Sequence, residues 1–201
     1  KDLELLVPAM KALLASTPEL DFVFMNFMPI EFTRVETMPD GKMQRMIQPA
    51  LRERISFVPG VPVMQYPASV AQITADMALA PLVDIPFNRC KSALKVLEAW
   101  ALGLPVLASD VAPYSRAITH GENGGLVQEP KQWHDAIRTL ARSPEKRAAL
   151  AAAGVETLKA QHTMTTIVER YERVLLQLAR GKVRRPDCAA AVEARCIEKG
   201  W

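Results

Sequence analysis

Short runs of apolar residues alternate with helical patterns along most of the chain. The runs are about five residues long and are bounded by Pro, Gly, Asn or Asp. They cover residues 21–26, 55–59, 77–81, 105–109 and, more weakly, 125–127. Nearly continuous apolar runs of this length are typical of strands that are buried on both faces of a sheet. We therefore predict five short strands.

Between these runs, apolar residues recur every three or four positions, which is typical of one face of a helix. The clearest faces are Leu3, Leu6, Val7, Met10, Leu13 and Leu14; Leu94, Leu97 and Ala101; and Trp133, Ile137 and Leu140. Weaker helices are predicted over residues 44–54 and 67–75. The C-terminal third is predicted to be helical, with Leu150, Ile167, Tyr171, Val174, Leu175 and Leu178 on its apolar faces. Residues 27–41 have no clear period and are predicted to form a long loop.

Alternating strands and crossover helices predict an α/β fold, a Rossmann-like parallel sheet with helices on both faces and a helical C-terminal third. We assign residues 1–180 to this domain and residues 181–201, which follow Gly181 and include Pro186, to a tail or linker. The chain opens on a helix, whereas a doubly wound domain usually opens on its central strand. We therefore expect the first strand to lie upstream of Lys1, and its absence to leave an exposed apolar strip.

Composition excludes several classes of protein. The chain has 201 residues, of which 49% are hydrophobic and 23% charged, so it is neither disordered nor collagen-like. No run approaches ~18 apolar residues, so no transmembrane segment is expected. The net charge of +3 comes from interspersed charges, which argues against a nucleic-acid partner. Three cysteines without CxxC spacing fit free thiols in a reducing compartment, and we expect a cytoplasmic protein, with the membrane surface as an alternative location.

Candidate chemistry concentrates in residues 76–110, which read as strand, loop, helix, tight turn and strand. The loop over residues 82–90 leaves the carboxyl end of a strand, where such sheets bind ligands. We predict that the next helix starts near Lys91 or Ser92, with free amides that suit an anion. Lys91, Lys95 and Glu98 then share one stripe.

Two cations beside a helix N-terminus suit a diphosphate, and a carboxylate farther along the helix suits a sugar diol. At 1.5 Å per helical residue, Lys91 and Glu98 would be ~10 Å apart, about the span from a diphosphate to the ribose of a nucleotide. The alternative is that Lys95 and Glu98 form only an exposed ion pair of little energetic weight.

Other candidates are weaker. Arg89 could reach a phosphate, and Asp84 could be a site carboxylate or, equally, a loop cap. Cys90 has no base in view, so we do not expect a nucleophile. The segment at residues 120–125 is predicted to be a turn in which Asn123 and Gly124 adopt positive φ. His120, His134 and His162 lack metal-ligand spacing, so no metal site is expected.

The segment NRCKSALKVLEAWALGLPVLASDVAPY, residues 88–114, resembles the donor-binding signature of the group 1 (family 4) glycosyltransferases. Those enzymes carry it in the C-terminal domain of the two-domain GT-B fold. The resemblance extends to ADMALAPL before it and to ITHGENGGLV after it. It implies that Glu98 hydrogen-bonds the ribose of a sugar nucleotide, and that Lys91 and Ser92 face its diphosphate and sugar.

The sequence departs from the family pattern in two places. Many members carry a Glu eight positions before the one at Glu98, where this chain has Cys90. The strand and loop that supply part of the family's basic pair on the diphosphate would precede Lys1, which could itself be the lysine of that pair. The acceptor-binding N-terminal domain is also not in this chain.

We interpret the chain as the donor-binding half of a retaining glycosyltransferase, which transfers a sugar from a nucleotide diphosphate sugar to an unknown acceptor in glycan or polysaccharide biosynthesis. The resemblance implies no metal and no cofactor apart from this donor substrate, and the missing acceptor domain as a partner. The predicted donor-binding residues are Glu98, Lys91, Ser92, Lys95 and Arg89; no catalytic residue is assigned, and the fragment should be incomplete for catalysis. The alternatives are a non-catalytic sugar-nucleotide-binding or interaction module of a larger protein, and a nucleotide-sugar epimerase.

Overall fold

Seven strands and eight α-helices make up residues 2–180, the part of the chain that the computed structural model describes. The strands are β1 Phe22–Met25, β2 Thr33–Thr37, β3 Met43–Ile47, β4 Ile55–Val58, β5 Ala78–Ala80, β6 Val106–Ser109 and β7 Gly125–Val127. The helices are α1 Val7–Ser16, α2 Tyr66–Ala71, α3 Pro86–Arg89, α4 Leu94–Ala101, α5 Ala112–Ser115, α6 Trp133–Ala141, α7 Pro144–Gln161 and α8 Met164–Ala179. The chain divides into two units after Leu158.

The predicted strands and their direction are confirmed. All five apolar runs contain a strand, and β5, β6 and β7 pair in that order, both pairs being parallel. The strand β1 pairs with β4, also in parallel, with Phe22 opposite Ile55 and Met25 opposite Val58. From β4 onward, α-helices connect the successive parallel strands, so this is the α/β, Rossmann-like arrangement that the alternation predicted; the connection from β1 to β4 contains the β2–β3 pair instead.

The parallel strands form two sheets rather than one, because β1 and β5 do not pair. Both sheets nevertheless face the same hydrophobic core, to which β1 contributes Phe22 and Phe24, while β6 contributes Leu107 and β7 contributes Val127. Among the described residues β1 and β5 each have one strand partner, so each keeps an edge with a row of unused backbone groups.

A β-hairpin replaces the loop predicted for residues 27–41 and the helix predicted for residues 44–54. Here β2 and β3 pair in antiparallel fashion, with Thr33 opposite Ile47. The turn contains Asp40 and Gly41, and Gly41 has φ +80°, a conformation that glycine adopts without strain. Both of those predictions are wrong because the hairpin is mostly solvent-exposed, so its strands carry polar residues on both faces and show no apolar alternation.

The first hydrophobic core confirms the predicted faces of α1 and α6. The buried residues of these helices are Leu6, Val7, Ala9, Met10 and Leu13 in and just before α1, and Trp133, Ile137 and Leu140 in α6. The two helices pack against each other and share this core with residues of β1, β4 and β6. Burying a leucine- or isoleucine-sized side chain contributes about 1.5–3 kcal/mol, so this layer supplies much of the stability of the unit.

The second core corrects the predicted face of α4. The buried residues are Val96, Ala99 and Trp100, whereas Leu94 is 54% exposed. The eight residues of α4 carry two apolar stripes, and periodicity alone does not choose between them. The face that carries Trp100 is the buried one, because burying the indole ring removes more apolar surface from water than burying Leu94 would.

The C-terminal third is helical, as predicted. Leu150 of α7 is buried in the first core, and α7 ends three residues before α8 begins. Thr163 caps α8, since its side chain accepts a hydrogen bond from the backbone N–H of Thr166. No residue of α8 is buried among the described residues.

Two further predictions concern a helix over residues 67–75 and a C-terminal tail. The helix predicted over residues 67–75 is shorter and forms α2. The tail over residues 181–201, which includes Cys188 and Cys196, and Lys1 itself lie outside the described residues. Within residues 2–180, every helix is too short or too polar to cross a lipid bilayer.

Candidate functional site

The loop that follows β5 is the part of the molecule that positions the predicted site residues. In a parallel strand–helix–strand unit, the helix starts at the edge where the preceding strand ends, so the start of α4 lies at the carboxyl end of β5. Ser109, buried at the end of β6, accepts a hydrogen bond from the backbone N–H of Leu82 at 2.9 Å. This contact ties the start of the loop to the neighbouring strand.

The helix α4 begins at Leu94, later than predicted. Residues 86–89 form the short helix α3, and Lys91 closes its last turn by donating its N–H to the carbonyl of Asn88 at 3.2 Å. Lys91 and Ser92 therefore precede α4 and do not share its stripe with Lys95 and Glu98. The ~10 Å spacing predicted for Lys91 and Glu98 from helical rise does not apply here.

Asp2 joins the N-terminal segment to this loop. Its Oδ1 accepts hydrogen bonds from the backbone N–H of Val83 at 3.0 Å and from Nδ2 of the buried Asn88 at 3.1 Å. The Nζ of Lys91 lies 3.8 Å from Oδ2 of Asp2 and 5.1 Å from the centre of the Phe87 ring. The ammonium group of Lys91 is thus held beside the loop while its side chain stays 40% exposed.

Three polar side chains meet on the exposed side of α4. The Nζ of Lys95 lies 3.0 Å from Oε2 of Glu98, and the hydroxyl of Tyr66 lies 3.1 Å from the same oxygen. The Lys95 ammonium also donates to the Tyr66 hydroxyl at 3.2 Å and lies 5.6 Å from the centre of its ring. These contacts close a triangle, which we call the Tyr66–Lys95–Glu98 cluster.

Electrostatics connect this cluster to Asp2. Partial burial disfavours the charge of Lys95, but hydrogen bonds to Glu98 and Tyr66 and the attraction of Glu98 outweigh it, so the pKa of Lys95 is raised. Burial raises the pKa of Tyr114 on α5, the negative charges of Asp2 and Glu98 add to this, and Lys95 opposes it. The charges of Asp2, Lys95 and Glu98 therefore all act on the pKa of the Tyr114 hydroxyl.

Arg89, a predicted phosphate ligand, is already paired with Asp84. Its Nε donates to Oδ1 of Asp84 at 2.5 Å and its Nη2 donates to Oδ2 at 2.8 Å, a two-point contact. The hydrogen bonds from Arg89 hold the pKa of Asp84 below its usual value. This geometry favours neither of the two roles that the sequence left open for Asp84, because the carboxylate binds a side chain rather than capping the loop.

Ser92 and Cys90 are exposed, and Ser92 does not cap α4 with its side chain. Within residues 2–180 no three His, Cys, Asp or Glu side chains are arranged to hold a metal ion. The turn at residues 120–125 exists, but its positive φ belongs to Gly121 at +81°. Asn123 is buried instead and accepts the backbone N–H of Thr119 on its side-chain oxygen at 2.8 Å.

Sequence reasoning missed Tyr66 and Asp2. Tyr66 is 32 positions from Glu98, and no spacing rule connects residues that far apart on two different helices. Asp2 is 81 positions from Val83, so its contact likewise depends on the fold. The pairing of Lys95 with Glu98 was detectable because i and i+3 positions are neighbours on a helix.

Comparison with known proteins shows the family of this chain. The sequence profile of a family described as group 1 glycosyl transferases matches residues 1–143. A D-inositol 3-phosphate glycosyltransferase from Nocardia farcinica is 31% identical over 145 residues, which is 68% of this chain and 30% of that protein. The homologous enzyme from Rhodococcus erythropolis is 28% identical, over 71% of this chain and 32% of its own length. The chain thus spans about a third of the length of these relatives.

Solved structures show the same fold. Sucrose-phosphate synthase from Thermosynechococcus elongatus superposes with a TM-score of 0.63, covering 90% of this chain and 43% of its own, at 23% identity. The Anabaena protein HepE, solved in complex with UDP and glucose, gives 0.51 over 64% of this chain and 33% of its own, at 20% identity. The fold is therefore one Rossmann-like half of the GT-B architecture, and the chain belongs to the group 1 glycosyltransferase family.

Proposed function

We propose that this chain is the nucleotide-sugar-binding half of a retaining glycosyltransferase. The observation that carries the proposal is the Tyr66–Lys95–Glu98 cluster, which places a carboxylate and an ammonium group together on a helix at the carboxyl end of β5. Parallel sheets bind nucleotides at this edge. Membership of the group 1 family supports the same assignment.

In this proposal Glu98 accepts hydrogen bonds from the ribose hydroxyls of the donor. Its side chain is 23% exposed, so the carboxylate is partly shielded but still open to a ligand. Within residues 2–180, both hydrogen bonds that Glu98 accepts fall on Oε2, which leaves Oε1 for a ribose hydroxyl. A hydrogen bond to a carboxylate is about twice as strong as one between neutral groups, which suits recognition of a diol.

The diphosphate would lie across the start of α4. The first amides of an α-helix have no partner within the helix and carry a partial positive charge, so they attract an anion. Lys91 and Lys95 supply positive charge from the loop and from the helix, and Ser92 supplies a hydroxyl. As the sugar–phosphate bond breaks, these groups would stabilise the negative charge on the leaving diphosphate without a metal ion. Arg89 contributes less, since Asp84 already neutralises it.

The proposal includes a second, acceptor-binding domain and transfer of the sugar with retention of configuration; it names no acceptor. The relatives named above act on inositol 3-phosphate, and HepE was solved with UDP, so UDP is the first nucleotide to test. We also propose a cytoplasmic location, because the three cysteines, Cys90, Cys188 and Cys196, are odd in number, lack CxxC spacing and fit free thiols in a reducing compartment.

A thermal-shift and calorimetric screen tests this function. The 201-residue chain is titrated with UDP-, GDP-, ADP- and TDP-sugars and with the free nucleoside diphosphates. A bound ligand stabilises the native state by RT ln(1 + [L]/Kd), about 2.7 kcal/mol at a hundredfold excess over Kd. We expect one base to be selected. A chain that binds none of these ligands at millimolar concentration would contradict the proposal and favour the alternative of a non-catalytic interaction module.

A further inference from the structure

Tyr66 is the one member of the Tyr66–Lys95–Glu98 cluster to which the sequence assigned no role. It is the first residue of α2, is half-buried, and precedes Pro67. Its hydroxyl can donate to the carboxylate of Glu98 while accepting from the ammonium of Lys95, since a phenol is both donor and acceptor. The two contacts, 3.1 Å to Glu98 and 3.2 Å to Lys95, fit both bonds at once.

We propose that Tyr66 is a positioning residue of the donor site, which acts on the nucleotide through Glu98. This inference rests on the proposed function, in which Glu98 binds the ribose. Tyr66 and Lys95 both donate to the same oxygen, Oε2, and are hydrogen-bonded to each other, so together they fix the rotation of the carboxylate. The other oxygen, Oε1, is then presented in one orientation.

The cluster also spans two elements that are not neighbours in sequence. The hydroxyl contact links the start of α2 to the middle of α4, so the position of α2 sets the direction of the Glu98 carboxylate. Without the hydroxyl, Glu98 would keep only Lys95, whose 61% exposed side chain is free to move with it. A long flexible ion pair of this kind holds a carboxylate poorly because ordering it loses side-chain entropy.

The Lys95 ammonium lies over the Tyr66 ring as well as against its hydroxyl. Tyr66→Phe therefore separates two contributions. It removes the hydrogen bonds that the hydroxyl makes with Glu98 and Lys95, and it keeps the ring under Lys95 together with the packing of the ring. Any effect of this substitution on ligand binding is then an effect of the hydroxyl.

A comparison of two ligands provides the test. UDP carries both ribose hydroxyls, and 2′,3′-dideoxyuridine 5′-diphosphate keeps the base and the diphosphate but lacks both. Dissociation constants for the two ligands are measured by calorimetry on the 201-residue wild type and on Tyr66→Phe, Glu98→Ala and the double variant; GDP and its dideoxy analogue replace them if the wild type selects guanine. Tyr171→Phe, an exposed tyrosine of α8, is the matched control.

We expect Tyr66→Phe to weaken UDP binding about three- to tenfold, the range for losing one hydrogen bond, and to leave the dideoxy analogue unaffected. In the Glu98→Ala background the same change should have no further effect, because Tyr66 acts only through that carboxylate. Tyr171→Phe should bind both ligands as the wild type does.

Three other results would overturn the inference. Unchanged UDP affinity in Tyr66→Phe would show that Glu98 needs no help from the hydroxyl. Equal weakening of both ligands, or effects that add to those of Glu98→Ala, would assign Tyr66 a general structural role or a direct contact with the ligand. A wild type that binds UDP and its dideoxy analogue equally well would remove Glu98 from the ribose and Tyr66 with it, whereas a wild type that binds no nucleoside diphosphate would reject the proposed function itself.

Discussion

Trp100 of α4 packs directly against Gly154 of α7. A Cβ atom built on Gly154 would lie 2.3 Å from Cδ1 and 2.5 Å from Nε1 of Trp100, far inside contact distance. The indole also donates its N–H to the carbonyl of Asn123 at 2.9 Å, so the ring is fixed from a second side. The absence of a side chain at position 154 thus allows the largest buried residue of the second core to fit.

Gly154→Ala is therefore expected to destabilise the protein. Helix propensity alone would favour alanine over glycine by about 1 kcal/mol. Overpacking against a ring that cannot move away typically costs about 1–3 kcal/mol, and we expect this cost to exceed the gain in helix propensity. Urea unfolding gives the change in the free energy of unfolding.

Ala152→Gly, at an exposed position of the same helix, is the matched control. It should destabilise by about 1 kcal/mol through propensity alone. If Gly154→Ala instead stabilises the protein by that amount, Trp100 is not packed as described.

Glu98→Ala should weaken binding of the selected nucleoside diphosphate about ten- to hundredfold. The change removes a hydrogen bond to a charged group, about 1.5–3 kcal/mol, and isothermal titration measures it. Fold stability should change little because Lys95, the ion-pair partner of Glu98, is 61% exposed. Equal affinities of wild type and variant would leave only the alternative interpretation, in which the two residues form a surface ion pair.

Arg89→Ala should weaken nucleotide binding less than Lys91→Ala. Arg89 would have to give up its two hydrogen bonds to Asp84 before it could bind a phosphate, whereas the ammonium of Lys91 lies 3.8 Å from Asp2, too far for a hydrogen bond, and 5.1 Å from the centre of the Phe87 ring. Asp84→Asn should then tighten binding, since it leaves the Arg89 charge uncompensated. Calorimetric titration of the three variants ranks them, and a larger loss for Arg89→Ala than for Lys91→Ala would contradict this order.

The Asp84–Arg89 pair also predicts a pH dependence. Because the hydrogen bonds from Arg89 lower the pKa of Asp84 in the folded protein below its usual 3.8, the unfolded state binds the proton more readily. The stabilisation is thus complete above about pH 4 and is lost as the pH falls through the lower folded value. The difference in melting temperature between wild type and Asp84→Asn should be constant from pH 5 to 8 and shrink below pH 4. A difference that changes between pH 5 and 8 would argue against the pair.

The unpaired edges of β1 and β5 predict a further strand between them. Alternate amides of a strand point to opposite edges, and Phe22 and Asn26 direct theirs to β4. The amides of Val23 and Met25 should therefore exchange with solvent faster than that of Phe24 in this chain. Hydrogen exchange followed by NMR measures this.

In a longer form of the protein that carries the expected upstream strand, Val23 and Met25 should become protected and Phe24 should change little. The core shared by the two sheets and the contact of Asp2 with Val83 at the carboxyl end of β5 support this placement. Equal protection of all three amides in the 201-residue chain would indicate that nothing is missing beside β1.

The part of the fold that was predictable rests on local signals. Apolar runs between Pro, Gly, Asn and Asp identified β1, β4, β5, β6 and β7. The strand β6 is buried at all four positions, as an apolar run predicts, whereas β1 and β4 each leave an apolar side chain exposed. The face of α6 was readable since Trp133, Ile137 and Leu140 have no competing apolar stripe. The hairpin had one local signal, Asp40-Gly41, which favours a turn between two strands. That signal was missed because its flanking residues lack an apolar alternation.

The sequence by itself determined the chemistry that can be present: the group 1 signature, the strand–helix alternation, and the Lys95–Glu98 pair, which any helix at that position would form. Only the tertiary structure decided which residues surround that pair. Packing buries the face of α4 that carries Trp100 and exposes the face that carries Leu94. The short helix α3 keeps Lys91 out of α4, away from Lys95 and Glu98, and Lys91 lies beside Asp2 instead. The fold also brings Tyr66 into hydrogen-bond contact with Glu98, although the two residues are 32 positions apart in sequence. Contacts of this kind depend on how the elements pack, and local spacing carries no information about them.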